Sequence, residues 1–165
     1  MPRTLRVGDD APDPDAPPAT VFACVAAGLA DLAAVRRAVG DACAAAGASA
    51  AETEAVVLAV DEVCANVLQH GYGARGAAGG GRLVVEVARE PARLVVRVTD
   101  AAAHFDPAAT GAPRLDTGAA ERAVGGLGWH LVRRTVDDVG WEPLEPRGNR
   151  VTLARRLAGG STTRG

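Results

Sequence analysis

The chain contains no lysine. All 18 of its basic residues are arginines, set against 20 acidic ones for a net charge of −2. A P-loop GK[ST] and the invariant-Lys mechanism of ordinary protein kinases are thereby excluded, so any handling of ATP phosphates must use other groups. The near-neutral balance gives no electrostatic reason to expect nucleic acid or an anionic membrane as a partner. Aromatics are almost as scarce, with two Phe, two Trp and one Tyr in 165 residues, so the core must be aliphatic and rich in alanine. Cys24, Cys43 and Cys64 are odd in number, far apart and set in apolar runs, without a CxxC pair. That spacing argues against both zinc and a disulfide framework and for buried, reduced thiols. The opening MPRTLRVGDDAPDPDAPP has no apolar h-region, and no stretch approaches the ~20 apolar residues of a membrane span. A cytoplasmic location is expected.

What is present reads as one domain. Residues 1–18, rich in Pro and Asp, are expected to be disordered, 19–158 to form the folded unit and 159–165 a flexible tail. TVFACVA (20–26) reads as a first strand. From Asp31 to about Ala46, Leu32, Val35, Val39 and Cys43 recur at helical spacing until Gly47. Ser49 and Glu52 form a capping box. The helix it opens carries Val56, Val60, Val63 and Val67 on one face and closes at Gly71. GARGAAGGG (73–81) reads as a linker, and 82–89 with 93–100 as a hairpin turning at Pro91. A loop over 107–124 follows, then a Gly-rich turn running into a helix within 125–140. WEPLEP, a Gly148-Asn149 turn and a strand over 150–157 complete the chain. The pattern is α+β: a two-layer sandwich, mostly antiparallel, with helices on one face of the sheet.

Three polar features stand out from this scaffold. In AVDEVCANVLQHGYG (59–73), Glu62, Asn66 and His70 recur one turn apart, with Glu62 and Asn66 on the side away from the valines. Asn is a poor helix former, because its amide competes for backbone hydrogen bonds. Asp100 sits at the end of a strand whose aliphatic face delivers a carboxylate. Gly125-Gly126-Leu127-Gly128 opens a helix, where free N–H groups and the dipole favour an anion. Alone, the first fits a solvated helix face, the second a turn residue, and the third lacks the last glycine of a dinucleotide fingerprint. Together, a carboxylate acceptor, an amide oxygen for a hard cation and an anion-binding turn suit Mg-nucleotide binding without lysine.

That order resembles the histidine-kinase-like ATPase (GHKL) superfamily, and within it the anti-sigma-factor serine kinases, over roughly 31–157. AVDEVCANVLQHGYG is similar to the family's N-box, which implies Glu62 as general base and Asn66 as Mg²⁺ ligand. VTDAAAHFDP is similar to its first glycine box, which implies that Asp100 hydrogen-bonds the adenine amino group, with Ala102 and His104 beside the nucleotide. ERAVGGLGWHLVRRTVDDVGW resembles the second glycine box, implying that Gly125, Gly126, Leu127 and Gly128 cap the phosphates. Residues 107–124 fall where the family keeps an ATP lid, and Arg114 or Arg122 could neutralise charge there. The implied activity is ATP-dependent phosphorylation of a serine on a STAS-type anti-anti-sigma protein, alongside binding of a sigma factor. Homodimerisation is expected from the resemblance only, with the Ala-rich 31–46 helix as a candidate surface.

One departure bears on this. The family's first box reads Asp-x-Gly-x-Gly, whereas Asp100 is followed by Ala101-Ala102-Ala103-His104. An alanine costs on the order of 1 kcal/mol where φ must be positive, and His104 could intrude on the base, stack on it or donate to a phosphate. Three readings stay open: the serine kinase, a non-catalytic anti-sigma or STAS-binding switch with a degenerate ATP site, and a detached histidine-kinase catalytic domain. The last is disfavoured by the lack of a preceding helix pair with a phosphoacceptor His. His70 and His130 read as spectators, and no transition metal is expected.

Overall fold

The computed structural model describes residues 19–26, 28–72, 81–107 and 126–159. Five strands form one antiparallel sheet: β1 (Ala19–Ala26), β2 (Leu83–Glu90), β3 (Arg93–Asp100), β4 (Asp138–Pro143) and β5 (Asn149–Arg156), in spatial order β1-β2-β3-β5-β4. The expected segment 1–18, the 107–124 loop beyond Pro107 with its Arg114 and Arg122, the 159–165 tail beyond Gly159, most of the 73–81 linker, and Gly125 lie outside the described residues.

Strand alternation sets which face is buried. Leu83, Val85 and Val87 of β2, Leu94, Val96 and Val98 of β3, and Val151 and Leu153 of β5 all join the core. Against that face pack α1 (Leu32–Ala45), α2 (Ala50–Asn66) and α3 (Gly126–Thr135), with α2 in the middle touching both other helices. The expected α1 positions Leu32, Val35, Val39 and Cys43 are buried. Gly47 ends the run at φ 85, with its N–H on the Ala44 carbonyl and that of Ala48 on Cys43, a left-handed helix stop that a glycine adopts without strain. The capping box forms as read: the Ser49 hydroxyl accepts from the Glu52 N–H at 3.2 Å, and the Glu52 carboxylate from the Ser49 N–H at 2.7 Å. Cys43 and Cys64 are buried cysteines outside any disulfide, and burial pushes the Cys43 thiol up to about 11. Among the described residues no helix is long and apolar enough to cross a membrane.

Two boundaries differ from the sequence reading. The helix within 125–140 stops at Thr135, and Asp138–Pro143 is already strand β4. Asp137, Asp138 and Gly140 are weak helix formers, and Val139 and Trp141, alternating along β4, pack against the core instead. The second helix does not run regularly to Gly71. It ends at Asn66 and widens into a π-turn over Val67–Gly71, closed by the Tyr72 N–H on the Val67 carbonyl at 3.2 Å.

Candidate functional site

The widened turn rotates Val67, His70 and Gly71 toward the end of β3, where they line one side of a cavity of about 300 Å³. This is within the range of small-molecule sites. A Cβ on Gly71 would lie 3.1 Å from the Ala102 Cβ, so the turn and the loop after β3 are nearly in contact. Tyr72, the next residue, ties the two together. Its hydroxyl accepts from the Ala101 N–H at 3.0 Å and donates to the Arg82 carbonyl. Burial raises its pKa.

Asp100 and Asn149 form the polar end of the cavity and are buried, 6% and 4% exposed. They face each other across the β3–β5 ladder. Asp100 Oδ1 accepts from the Ala102 N–H at 2.8 Å and from Asn149 Nδ2 at 3.1 Å. Among the described residues Oδ2 has no partner. Such an oxygen accepts and cannot donate, so the position suits a ligand amine. The walls are apolar: Val67, Val151, Phe105, Trp129 and Trp141. Phe105 and Trp129 lie with ring centroids 6.5 Å apart.

Asn66 lines the cavity as well, and Glu62 lies one turn back along α2. Both meet the first turn of α3. A Cβ on Gly128 would fall 2.8 Å from Glu62 Oε2 and 3.3 Å from Asn66 Nδ2. Only a glycine lets the α3 N-terminus approach the carboxylate and the amide this closely. Asn66 Nδ2 is buried there and has no hydrogen-bond partner among the described residues, a situation that costs on the order of 1–3 kcal/mol. A polar side chain held at such a cost beside a helix N-terminus is a mark of a site rather than of a solvated surface.

A model of the histidine kinase-like ATPase domain matches residues 25–155. The chain belongs to the histidine kinase-like ATPase family. No curated protein matches it in sequence. Among solved structures it is similar to the RsbU and RsbW domains of Rv1364c from Mycobacterium tuberculosis, with a TM-score of 0.55 and 19% identity, covering 82% of this chain and 32% of that one. At that identity the likeness is one of fold, and the chain spans about a third of that structure's length.

In this histidine kinase-like ATPase domain, Asn66, Asp100, Ala102 and His104 come together on the cavity. Glu62 and Gly128 meet at its flank, and Gly126 begins α3. Gly125 and the side chain of Leu127 lie outside the described residues. The alanines carry no conformational strain: no non-glycine residue among those described has positive φ. Exposed His104 hydrogen-bonds through Nε2 to the Leu144 carbonyl at 3.0 Å, anchoring the loop to the β4–β5 turn. His70, read as a spectator, lines the cavity with an exposed side chain, whereas His130 is exposed on α3. Trp129, Trp141 and Asn149 were missed by sequence reasoning. Three of the five aromatic residues line the cavity, but they stand far apart in the sequence and meet only in the fold, so no local pattern marked the tryptophans. The donor set also fits a nucleotide-bound Mg²⁺. One amide oxygen lies near one carboxylate, and no group of three or more His, Cys, Asp or Glu able to hold a metal occurs among the described residues. A divalent ion here would draw most ligands from a polyphosphate.

Proposed function

We propose that residues 19–158 form an anti-sigma regulatory factor that transfers the γ-phosphoryl group of ATP to a serine of a STAS-fold anti-anti-sigma protein. The observation that carries this reading is the meeting of Glu62 and Asn66 with Gly128 at the α3 N-terminus, beside a cavity that ends on Asp100. The family assignment and the fold shared with an RsbW-containing chain support it.

Each residue then has a role set by its chemistry. The free Oδ2 of Asp100 accepts from the exocyclic amine of adenine, while Val67, Val151 and the aromatic walls, with Ala102 and His104 on the loop, enclose the base. Backbone N–H groups of Gly125–Gly128 receive the phosphates at a positive helix end. The Asn66 amide oxygen would hold Mg²⁺, which would supply charge neutralisation at the phosphate oxygens. Glu62 accepts the proton of the serine hydroxyl as its oxygen bonds to the γ-phosphorus and ADP leaves. A sigma factor and a STAS-fold protein are the partners this reading requires, with two copies of the chain as its assembly.

The test is incubation with Mg-ATP and a STAS-fold substrate, followed by mass spectrometry. A single phosphoserine is expected, formed about 10²–10⁴-fold more slowly by Glu62→Gln, the range for loss of a general base. Bound ATP without any phosphoserine, across the STAS-fold proteins of the same cell, would instead support the non-catalytic switch. The loss of both glycines from the first box favours that second reading.

A further inference from the structure

We propose that Asn149 is a positioning residue for base recognition, fixing the Asp100 carboxylate so that its free oxygen reads the amine of a 6-aminopurine. This inference rests on the nucleotide reading of the cavity. Asn149 is 4% exposed, and its whole hydrogen-bonding capacity is used. Oδ1 accepts from the Phe105 N–H at 3.0 Å and from Trp141 Nε1 at 3.2 Å. Nδ2 donates to Asp100 Oδ1 at 3.1 Å and to the Ala103 carbonyl at 3.0 Å. A primary amide has two donors and two acceptor lone pairs, so nothing is left over for a ligand. The two N–H groups on Oδ1 also settle which way the amide faces, because a flipped amide would set donors against donors.

The consequence falls on Asp100 and its loop. The terminal torsion of an aspartate is broad, and the carboxylate could turn either oxygen toward the cavity. With Oδ1 held by Asn149 and Ala102, Oδ2 is the one presented. The same amide grips the loop at Ala103 and Phe105, on either side of His104. A segment without glycine is thus held by hydrogen bonds reaching across from β5. Gly148 makes the approach possible: at φ 122, with the position of a Cβ falling on the Asp100 carbonyl oxygen, it admits no side chain.

The experiment compares binding of ATP and of purine riboside triphosphate, which lacks the 6-amino group, to the wild type and to Asn149→Ala. A hydrogen bond to a charged acceptor predicts a wild-type preference for ATP of roughly 10- to 100-fold. In Asn149→Ala the preference should fall to about 3-fold or less, while the analogue binds within about 2-fold of its wild-type affinity. A purely structural role would weaken both ligands alike and preserve the ratio, which would overturn the proposal. Equal wild-type binding of both ligands would overturn it too, leaving the nucleotide reading intact. Absence of binding by either ligand would instead remove the nucleotide reading, and this inference with it.

A second measurement needs neither Asn149→Ala nor a nucleotide. The chain has only two asparagines and one glutamine, so their side-chain amides resolve readily by NMR. The Asn149 amide protons should exchange at least ~10-fold more slowly than those of exposed Gln69, and faster in Asp100→Ala, as expected for buried, doubly bonded donors. Exchange as fast as that of Gln69 would overturn the proposal.

Discussion

A methyl group at position 128 separates what the fold needs from what the site needs. Alanine is favoured over glycine within a helix by roughly 0.5–1 kcal/mol, and Gly128 does not have positive φ. Yet its Cβ would lie 2.8 Å from Glu62 Oε2, and the carboxylate, Asn66 or the α3 N-terminus must shift. Gly128→Ala is therefore expected to melt within a few degrees of the wild type while losing about 10-fold or more in Mg-ATP affinity. Thermal melts with parallel calorimetry check this, and unchanged affinity would contradict the described packing. At this scale the sequence was most legible where a residue's chemistry was locally unusual: an asparagine inside a helix, a carboxylate ending an aliphatic strand, glycines opening a helix. Asn149 was not legible, because next to Gly148 it looks like an ordinary turn residue. Its partner Asp100 is 49 positions away, and only the β3–β5 register brings them together.

At the scale of elements, Glu52 joins the start of α2 to the chain leaving β5. One carboxylate oxygen accepts from the Ser49 N–H and the other from the Ala158 N–H, both at 2.7 Å. The Ala158 N–H foremost, then the Ser49 donors, hold its pKa below the ordinary 4.5. A carboxyl with a depressed folded pKa contributes stability that is complete above the unfolded value and is lost as pH falls through the folded one. The gap in melting temperature between wild type and Glu52→Gln should thus be widest above pH 4.5 and narrow on acidification below it. A gap that stayed constant on acidification below pH 4.5 would contradict the assignment. The capping box half of this arrangement was readable from SAAE, but the Ala158 half was not. The hairpin over β2 and β3 and the apolar spacing of α1 were likewise local patterns and appear as read. The π-turn after Asn66 and the early start of β4 were not, because each is decided by packing against the sheet rather than by local periodicity.

At the scale of the molecule, three helices on one face of an antiparallel sheet leave the cavity where α2 gives way to its π-turn, beside the paired ends of β3 and β5. The α+β class and the order of the three motifs were present in the sequence, and the family match covers residues 25–155. The aromatic lining was hidden because tryptophans at 129 and 141 lie on different elements and meet only in the fold. Partner identity is not written into the domain at all, since it depends on surfaces of other chains. The central claim is that Asn66, Asp100 and the α3 N-terminus together bind Mg-ATP. Calorimetric titration of ATP into wild type and Asn66→Ala, each with and without Mg²⁺, tests it most directly. Micromolar binding that requires Mg²⁺, corresponding to about −8 kcal/mol, and that collapses in the variant is the expected result. No heat up to millimolar ATP, or binding indifferent to both Mg²⁺ and Asn66, would contradict it.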